Sequence, residues 1–356
     1  MKKLLLILLC VPLIGFGQQT YVPDDNFEQA LINMGYDNVL DNYVQTSNIN
    51  MVTNLNVNSQ NISDLTGVED FTALWDLRCD TNQLTSLDVS QNTALTDLSC
   101  QSNQLTSLDV SSNTALTYLY CERNQLTSLN VSNNTPLIWL TCQNNQLTSL
   151  DVSQNTILTY LVCGSNPLNI LDVSNNTALI FLWCSANQLT SLDVSNNVVL
   201  WRLFCYYNQL TSLDVSNNIA LAEFWCYDNQ LSSLNLSNNT ALTELYCQDN
   251  QLTSLDVRNG NNMQMGFDCT NNPNLECINV DDVAWSTANW TVGNAGIDPQ
   301  HYFSNNCTPS AIQEHTTNKE LLKITDILGR EVNEKRNTPL FYIYNDGTVE
   351  KKIIFE

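Results

Sequence analysis

The sequence predicts a repeat solenoid: a parallel β coil with short strands on two faces, a short N-terminal helical cap and a C-terminal β module. Three observations carry this. Cysteines recur every 21 residues, at Cys79, Cys100, Cys121, Cys142, Cys163, Cys184, Cys205, Cys226 and Cys247. Each unit, such as LTYLYCERNQLTSLNVSNNTP at 116–136, contains two related halves, LxxLxCxxNQ and LTSLDVSxNTA. Within each half the apolar residues alternate over a short stretch, which is the period of a strand. Nine such units fill 74–262, and self-similarity at a fixed period marks stacked elements that bury one continuous core.

At the N-terminus, Lys2 and Lys3 precede an apolar run, Leu4 to Ile14, and then the small residues Gly15 and Gly17. The run is too short to span a bilayer and reads as a removable signal peptide over 1–17. No later segment is long and apolar enough to cross a membrane. An N-terminal cap is expected over 18–54, because a solenoid exposes its core at both ends unless covered. Asp25 and Glu28 form the pattern of a capping box, Phe27 and Leu31 lie one helical turn apart, and Gly35 supplies the stop. The solenoid then runs over 55–276, opening with a longer transitional repeat at 55–76.

Inside each unit the alternation decides which side chains point inward. In 116–136, Leu119 and Cys121 face the core, and Tyr118, Tyr120 and Glu122 face out. In the second half, Leu129 and Val131 face in, and Ser128, Asn130 and Ser132 face out. One parallel sheet is expected on each broad side, with turns stacked about 4.8 Å apart. The Asn that follows each first strand, from Asn82 to Asn250 at the same period, is expected to form a buried amide ladder. Such a ladder would satisfy turn backbone groups that otherwise cost about 1–3 kcal/mol each. The consensus LxxLxCxxNxL resembles the leucine-rich repeat, in its bacterial 21-residue nested variety. That resemblance covers about half the chain and implies an interaction scaffold.

Beyond the repeats, Cys269 falls one residue out of period, and 277–310 reads as the closing cap. Adjacent ladder thiols about 4.8 Å apart are too far for a disulfide, which prefers about 3.8 Å between Cβ atoms. They are expected to be buried and inert, with no metal bound, since no CxxC pair exists. Cys277 and Cys307 lie outside the ladder and are expected to pair with each other. The last segment, 311–356, alternates apolar residues around the turn Asn345, Asp346, Gly347 and suggests an antiparallel β module. Its ITDxxGRxV and KKIIxE patterns resemble the C-terminal sorting signal of the type IX secretion system, without the usual early Asn-Pro-rich strand. The resemblance implies the type IX machinery as a partner, with export across an outer membrane and then release or attachment at the surface.

The formal net charge is −23, and loss of Lys2 and Lys3 would deepen it by two. That balance argues against nucleic acid and anionic membranes as partners, which need clustered Lys and Arg. Comparing the units with each other locates the face of interest. Outward residues of the second half barely change, while those of the first half vary widely. Eleven of their 27 outward slots are aromatic in a chain that is 8% aromatic. These are Tyr118, Tyr120, Trp139, Tyr160, Phe181, Trp183, Phe204, Tyr206, Trp225, Tyr227 and Tyr246. Tyr and Trp supply binding hot spots, so an exposed aromatic band flanked by acids predicts a ligand face for an extracellular protein or a glycan. The alternative is that aromatics simply favour strands and stack between turns, leaving a passive coat or spacer. The column Asp88, Asp109, Asp151, Asp172, Asp193, Asp214 and Asp256 offers calcium-type oxygens or a merely solvated acidic face. An enzyme is not expected. The chain has only His301 and His315 and lacks HExxH, GxSxG and a glycine-rich phosphate loop. No cofactor is expected either.

Overall fold

The computed structural model describes residues 17–293, 296–307, 321–326, 329–333, 339–344 and 349–353. The chain divides into two compact units, 1–307 and 308–356. The leader expected over 1–17 lies, except for Gly17, outside the described residues, as do the start of the tail and the turn at Asn345–Gly347.

The first unit opens with strand Gln19–Tyr21, paired antiparallel with Tyr43–Gln45. Between them helix α1 spans Asp25–Asn33. The expected capping box is displaced by one residue: Asp24, not Asp25, is the N-cap, and its carboxylate accepts from the backbone N–H of Asn26 and Phe27. Glu28 therefore does not reach back to the cap. It is buried, and its carboxylate accepts from the N–H groups of Asp41, Asn42 and Tyr43. Asp24 has a second task that sequence alone does not reveal. Its other oxygen holds Ser63 and Asp64, tying the cap to the first coil. The helix stops where expected, with Gly35 at φ 81°. The N–H of Gly35 bonds to Ile32 and that of Tyr36 to Leu31, the paired bonds of a left-handed C-terminal cap.

Eleven three-residue strands, from Asn54–Asn56 to Gly266–Asp268, form one parallel sheet in chain order. The central residue of each points inward and is buried, as at Leu98, Leu119, Leu140 and Leu161. A single turn buries Leu116, Leu119, Cys121, Leu126, Leu129 and Val131. Each leucine removed from water stabilises the fold by about 1.5–3 kcal/mol, and the next turn covers it from above.

The second broad side departs from expectation. Only Ser233–Asn235, Ser254–Asp256, Cys277–Asn279 and Tyr302–Ser304 form a second parallel sheet, at the C-terminal end. In the seven earlier units the corresponding segment belongs to no strand and makes no backbone bond to its neighbours. Side chains brace the backbone beside this segment. Asp109 Oδ1 accepts from Ser111 N–H two residues on, as Asn235 Oδ1 does from Ser237 N–H where the strands pair. Asn134 Nδ2 takes the carbonyl of Val110. Inward leucines on this side are 7–8% exposed at Leu108, Leu129, Leu150, Leu192 and Leu213, against 2% or less at Leu234 and Leu255 where the ladder forms.

Two asparagine columns hold the turns. In the first, Asn103 Nδ2 donates to the carbonyls of Cys79 and Cys100, and its Oδ1 accepts from Leu84 N–H. The pattern repeats along the column to Asn272. The preceding residue is left-handed in every turn, from Thr81 at φ 57° to Asn271 at φ 55°. The second column, Asn92 to Asn239, is fully buried and was not anticipated, although NT recurs at fixed register in the second half. Asn113 Nδ2 donates to the carbonyls of Val89 and Asn92.

The C-terminal end is closed by Trp290, stacked on Phe267 at 4.4 Å, and by Gly296, whose carbonyl takes the N–H of Cys269. Gly296 has φ 51°, and a Cβ there would lie 2.6 Å from the Asp268 backbone, so only glycine fits. Cys277 and Cys307 are joined in a disulfide, Cα atoms 5.8 Å apart. The second unit is an antiparallel three-stranded sheet, Leu321–Thr325, Pro339–Tyr344 and Val349–Ile353. Among the described residues no helix is long and apolar enough to cross a membrane.

Candidate ligand-binding face

Parallel in-register pairing fixes where each outward side chain sits. Tyr118, Trp139, Tyr160, Phe181, Arg202, Glu223 and Glu244 follow one another along one line. Tyr120, Thr141, Val162, Trp183, Phe204, Trp225 and Tyr246 follow along the next. Strand spacing close to 4.8 Å is near the distance at which aromatic rings stack. Trp139 lies on Tyr160 at 4.0 Å and 12°, Phe204 on Trp225 at 4.2 Å and 21°, and Tyr206 on Tyr227 at 4.4 Å and 7°. Edge contacts complete the run: Tyr160 with Phe181, Phe181 and Trp183 with Phe204, and Trp225 with Tyr246. Ten of the eleven expected site residues thus form one continuous band. Tyr118 stays at its margin, in register with Trp139 but outside the ring contacts.

The expectation of an exposed band needs correction. The rings cover one another, so most are half-buried, and Phe204, enclosed by Phe181, Trp183 and Trp225, is only 9% exposed. Gly164 lies against Trp183. A Cβ at Gly164 would stand 3.2 Å from the indole nitrogen and 3.0 Å from the Ser185 carbonyl. The indole itself donates to Ser185 Oγ. Beside the band, two open rings lie at positions that strand alternation does not select, Tyr207, 53% exposed, and Trp201, 42% exposed; Trp75, 44% exposed, holds the place of Trp201 near the N-terminal end. Tyr207 occupies the left-handed turn position and Trp201 the residue before its strand. The signal available was a second Tyr beside Tyr206.

Charges flank the band. Toward the N-terminal end, Arg78 pairs with the buried Asp76 at 3.1 Å, which pushes the guanidinium pKa further up. The pair lies in a depression of about 310 Å³ with Asn58, Asp97, Ser99 and Tyr120. Burial, and then Asp97, raise the Tyr120 phenol. Near the other end, Arg202 pairs with Glu223 at 2.6 Å and stacks over Trp201 at 4.1 Å. Burial together with Tyr206 and Tyr207 pushes Tyr227 up to about 12. Burial, followed by the nearby Asp249, raises the Asp228 carboxyl.

Groups capable of other chemistry are buried or already bonded. All ten cysteines of the inner column are buried and free, and burial pushes thiols such as Cys142 and Cys184 up to about 12. His301 has a fully buried side chain, 3.6 Å from Cys269 Sγ, with Nδ1 accepting from Asp298 N–H. Burial lowers its pKa against the pull of Asp298. In the outer aspartate column the carboxylates, as at Asp172, accept from the Ser two residues on, which lowers their pKa, while Asp256 is held by Arg258 instead. Among the described residues no group of three or more His, Cys, Asp or Glu is placed to hold a metal ion.

No protein-family model matches the sequence, and no curated protein matches it. Solved structures do. The functional domain of InlJ from Listeria monocytogenes, described as including a cysteine ladder, is 26% identical, with 96% of this chain and 99% of that one covered and a TM-score of 0.48. An internalin (inlF) from Listeria monocytogenes is similar at a TM-score of 0.60 and 20% identity, over 82% of this chain and 93% of that one. A leucine-rich-repeat protein of Leptospira interrogans is similar at 0.54 and 20%, over 71% and 73%. The fold is the leucine-rich-repeat solenoid.

Proposed function

We propose that this chain is exported and acts outside the cell by binding another protein through the outward side of its eleven-stranded sheet. One observation carries the reading. Within a single molecule, one outward face repeats the same Ser, Asp and Asn from turn to turn, while the other changes at every turn and concentrates Tyr and Trp. Rings already stacked on their neighbours lose little freedom when a partner docks, which lowers the entropic cost of association. Their mutual burial also favours a broad protein surface over a sugar ring, which needs an open aromatic face. The apolar run at 4–14 supports a leader, and the resemblance of 311–356 to a type IX sorting signal supports passage through that machinery.

The test is a screen of the full-length chain against arrays of extracellular proteins and of glycans, beside a Trp139→Ala/Tyr160→Ala variant checked by circular dichroism. Protein ligands bound by the parent and lost by the variant are the expected result. Ligands retained by the variant would remove the band from the site. Glycan ligands alone would replace the partner class. A blank on both arrays would leave a coat or spacer role.

A further inference from the structure

Near the C-terminal end of the aromatic band the face changes character, and the change has a direction. Tyr206 and Tyr227 are stacked, and the exposed Tyr207 packs edge-on against both, at 5.6 and 5.4 Å. Tyr207, Asp228 and Asp249 take the same turn position in successive coils, as the backbone bonds from Asn208 to Asp228 and from Asn229 to Asp249 fix. Tyr207 and Asp228 are therefore neighbours across adjacent coils. Asp249 accepts from Asn271. Neither aspartate forms an ion pair among the described residues, nor does Glu244 on the same face. At the other end of the strand that precedes Tyr206 and Tyr207, the molecule displays what such a combination accommodates: the Arg202 guanidinium lies over the Trp201 ring and pairs with Glu223 of the next coil.

We infer that this rim, built from Tyr206, Tyr207, Tyr227, Asp228 and Asp249, receives an Arg or Lys side chain of the protein partner. The inference rests on the binding role proposed above and names the chemistry of its ligand. An aromatic face attracts a cation through its quadrupole, by about 0.5–2 kcal/mol, and two unpaired carboxylates add directional charge-assisted bonds. Asp228 and Asp249 repel each other, and burial adds to the strain on Asp228 by raising its carboxyl pKa. A bound cation relieves that repulsion. An Arg suits the rim better than a Lys, because its planar fork can stack on Tyr207 and engage a carboxylate at once.

The test titrates hexa-arginine and hexa-lysine peptides into the full chain by calorimetry at about physiological ionic strength, where distant charges are screened. Three variants are compared. Tyr207→Asn preserves the charge and tolerates the left-handed backbone. Asp228→Asn/Asp249→Asn removes the two carboxylates. Asp172→Asn/Asp193→Asn removes two equal charges from the opposite side. The expected result is hexa-arginine binding tighter than hexa-lysine, weakened about fivefold or more by each rim variant and less than about twofold by the control pair. Equal weakening by the two aspartate pairs, or no effect of Tyr207→Asn, would overturn the inference, since bulk charge would then explain the binding. If the arrays yield a protein ligand that needs Trp139 and Tyr160 while the rim variants bind hexa-arginine normally, the rim assignment falls and the binding role stands. Rim-dependent peptide binding with blank arrays would support the rim and sink the broader role.

Discussion

The two halves of each turn look alike in sequence and are held together by different means. In the first half, backbone pairs with backbone, and the asparagine column finishes the job: Asn145 donates to the Cys121 and Cys142 carbonyls and accepts from Leu126 N–H. In the second half, Asn155 only donates, to the carbonyls of Val131 and Asn134. Its Oδ1, like every Oδ1 from Asn92 to Asn239 in that column, is buried without a protein hydrogen-bond partner. Both carbonyls that Asn155 serves also receive a backbone N–H, from Asn134 and Leu137. A carbonyl has two lone pairs and survives the loss of one donor, whereas an N–H has a single bond to give. The first column is therefore structural in a way the second is not.

The sharpest way to break this contrast is to delete one member from each column. Asn145→Ala leaves Leu126 N–H buried and unpaired and thins two carbonyl contacts, which should cost about 3 kcal/mol. Asn155→Ala strands no donor and removes an amide oxygen that had no partner, so about 1 kcal/mol is expected. Equal losses in urea denaturation would refute the asymmetry.

A second test uses pH, at the place where the inner cysteine column ends against His301. Burial depresses the folded pKa of this imidazole below its ordinary value, so the unfolded chain binds its proton first. Stability should be full above about pH 7 and decline as pH falls through the unfolded value near 6.5. His301→Gln should flatten that decline in a series of thermal melts. A slope that survives the substitution would locate the sensitivity elsewhere.

The smallest effect belongs to the outer aspartate column. Its carboxyls are lowered by bonds from serine. Their contribution is present above the ordinary carboxylate pKa near 3.8 and is lost only as pH falls below it. Asp172→Asn, or addition of a calcium chelator, should leave the melting temperature at neutral pH unchanged. A clear drop with chelator would reveal a shared cation on this side.

The 21-residue period made most of the fold readable, because a spacing that regular leaves few ways to stack. The second sheet is present but narrower than expected, for an instructive reason. Alternation in LTSLDV reports which side chains face inward and says nothing about who takes the backbone bonds. The bond that an outward Asp or Asn accepts from the residue two on is present at Asn235 and Asp256, where the strands pair, as well as at Asp109, where they do not, so it does not decide the pairing. The columns of the candidate face were legible from Tyr118 to Tyr246, since outward slots follow from register. Their exposure was not, because rings one strand apart bury each other. Tyr207 and Trp201 escaped notice since neither lies on an alternating position.

The first asparagine column also bears on how such a chain changes its length. Asn145 reaches one coil back and one residue of its own coil, and every member of the column makes the same connections. Neighbouring turns are therefore interchangeable parts. A duplicated or deleted block of 21 residues would find its bonds waiting at both joints, with no compensating change elsewhere. The molecule is in this respect a ruler that can be cut or extended by gene duplication, carrying its aromatic stretch toward or away from either end. Only the one-residue slip before Cys269, where Gly296 closes on Asp268, fixes where the count must stop.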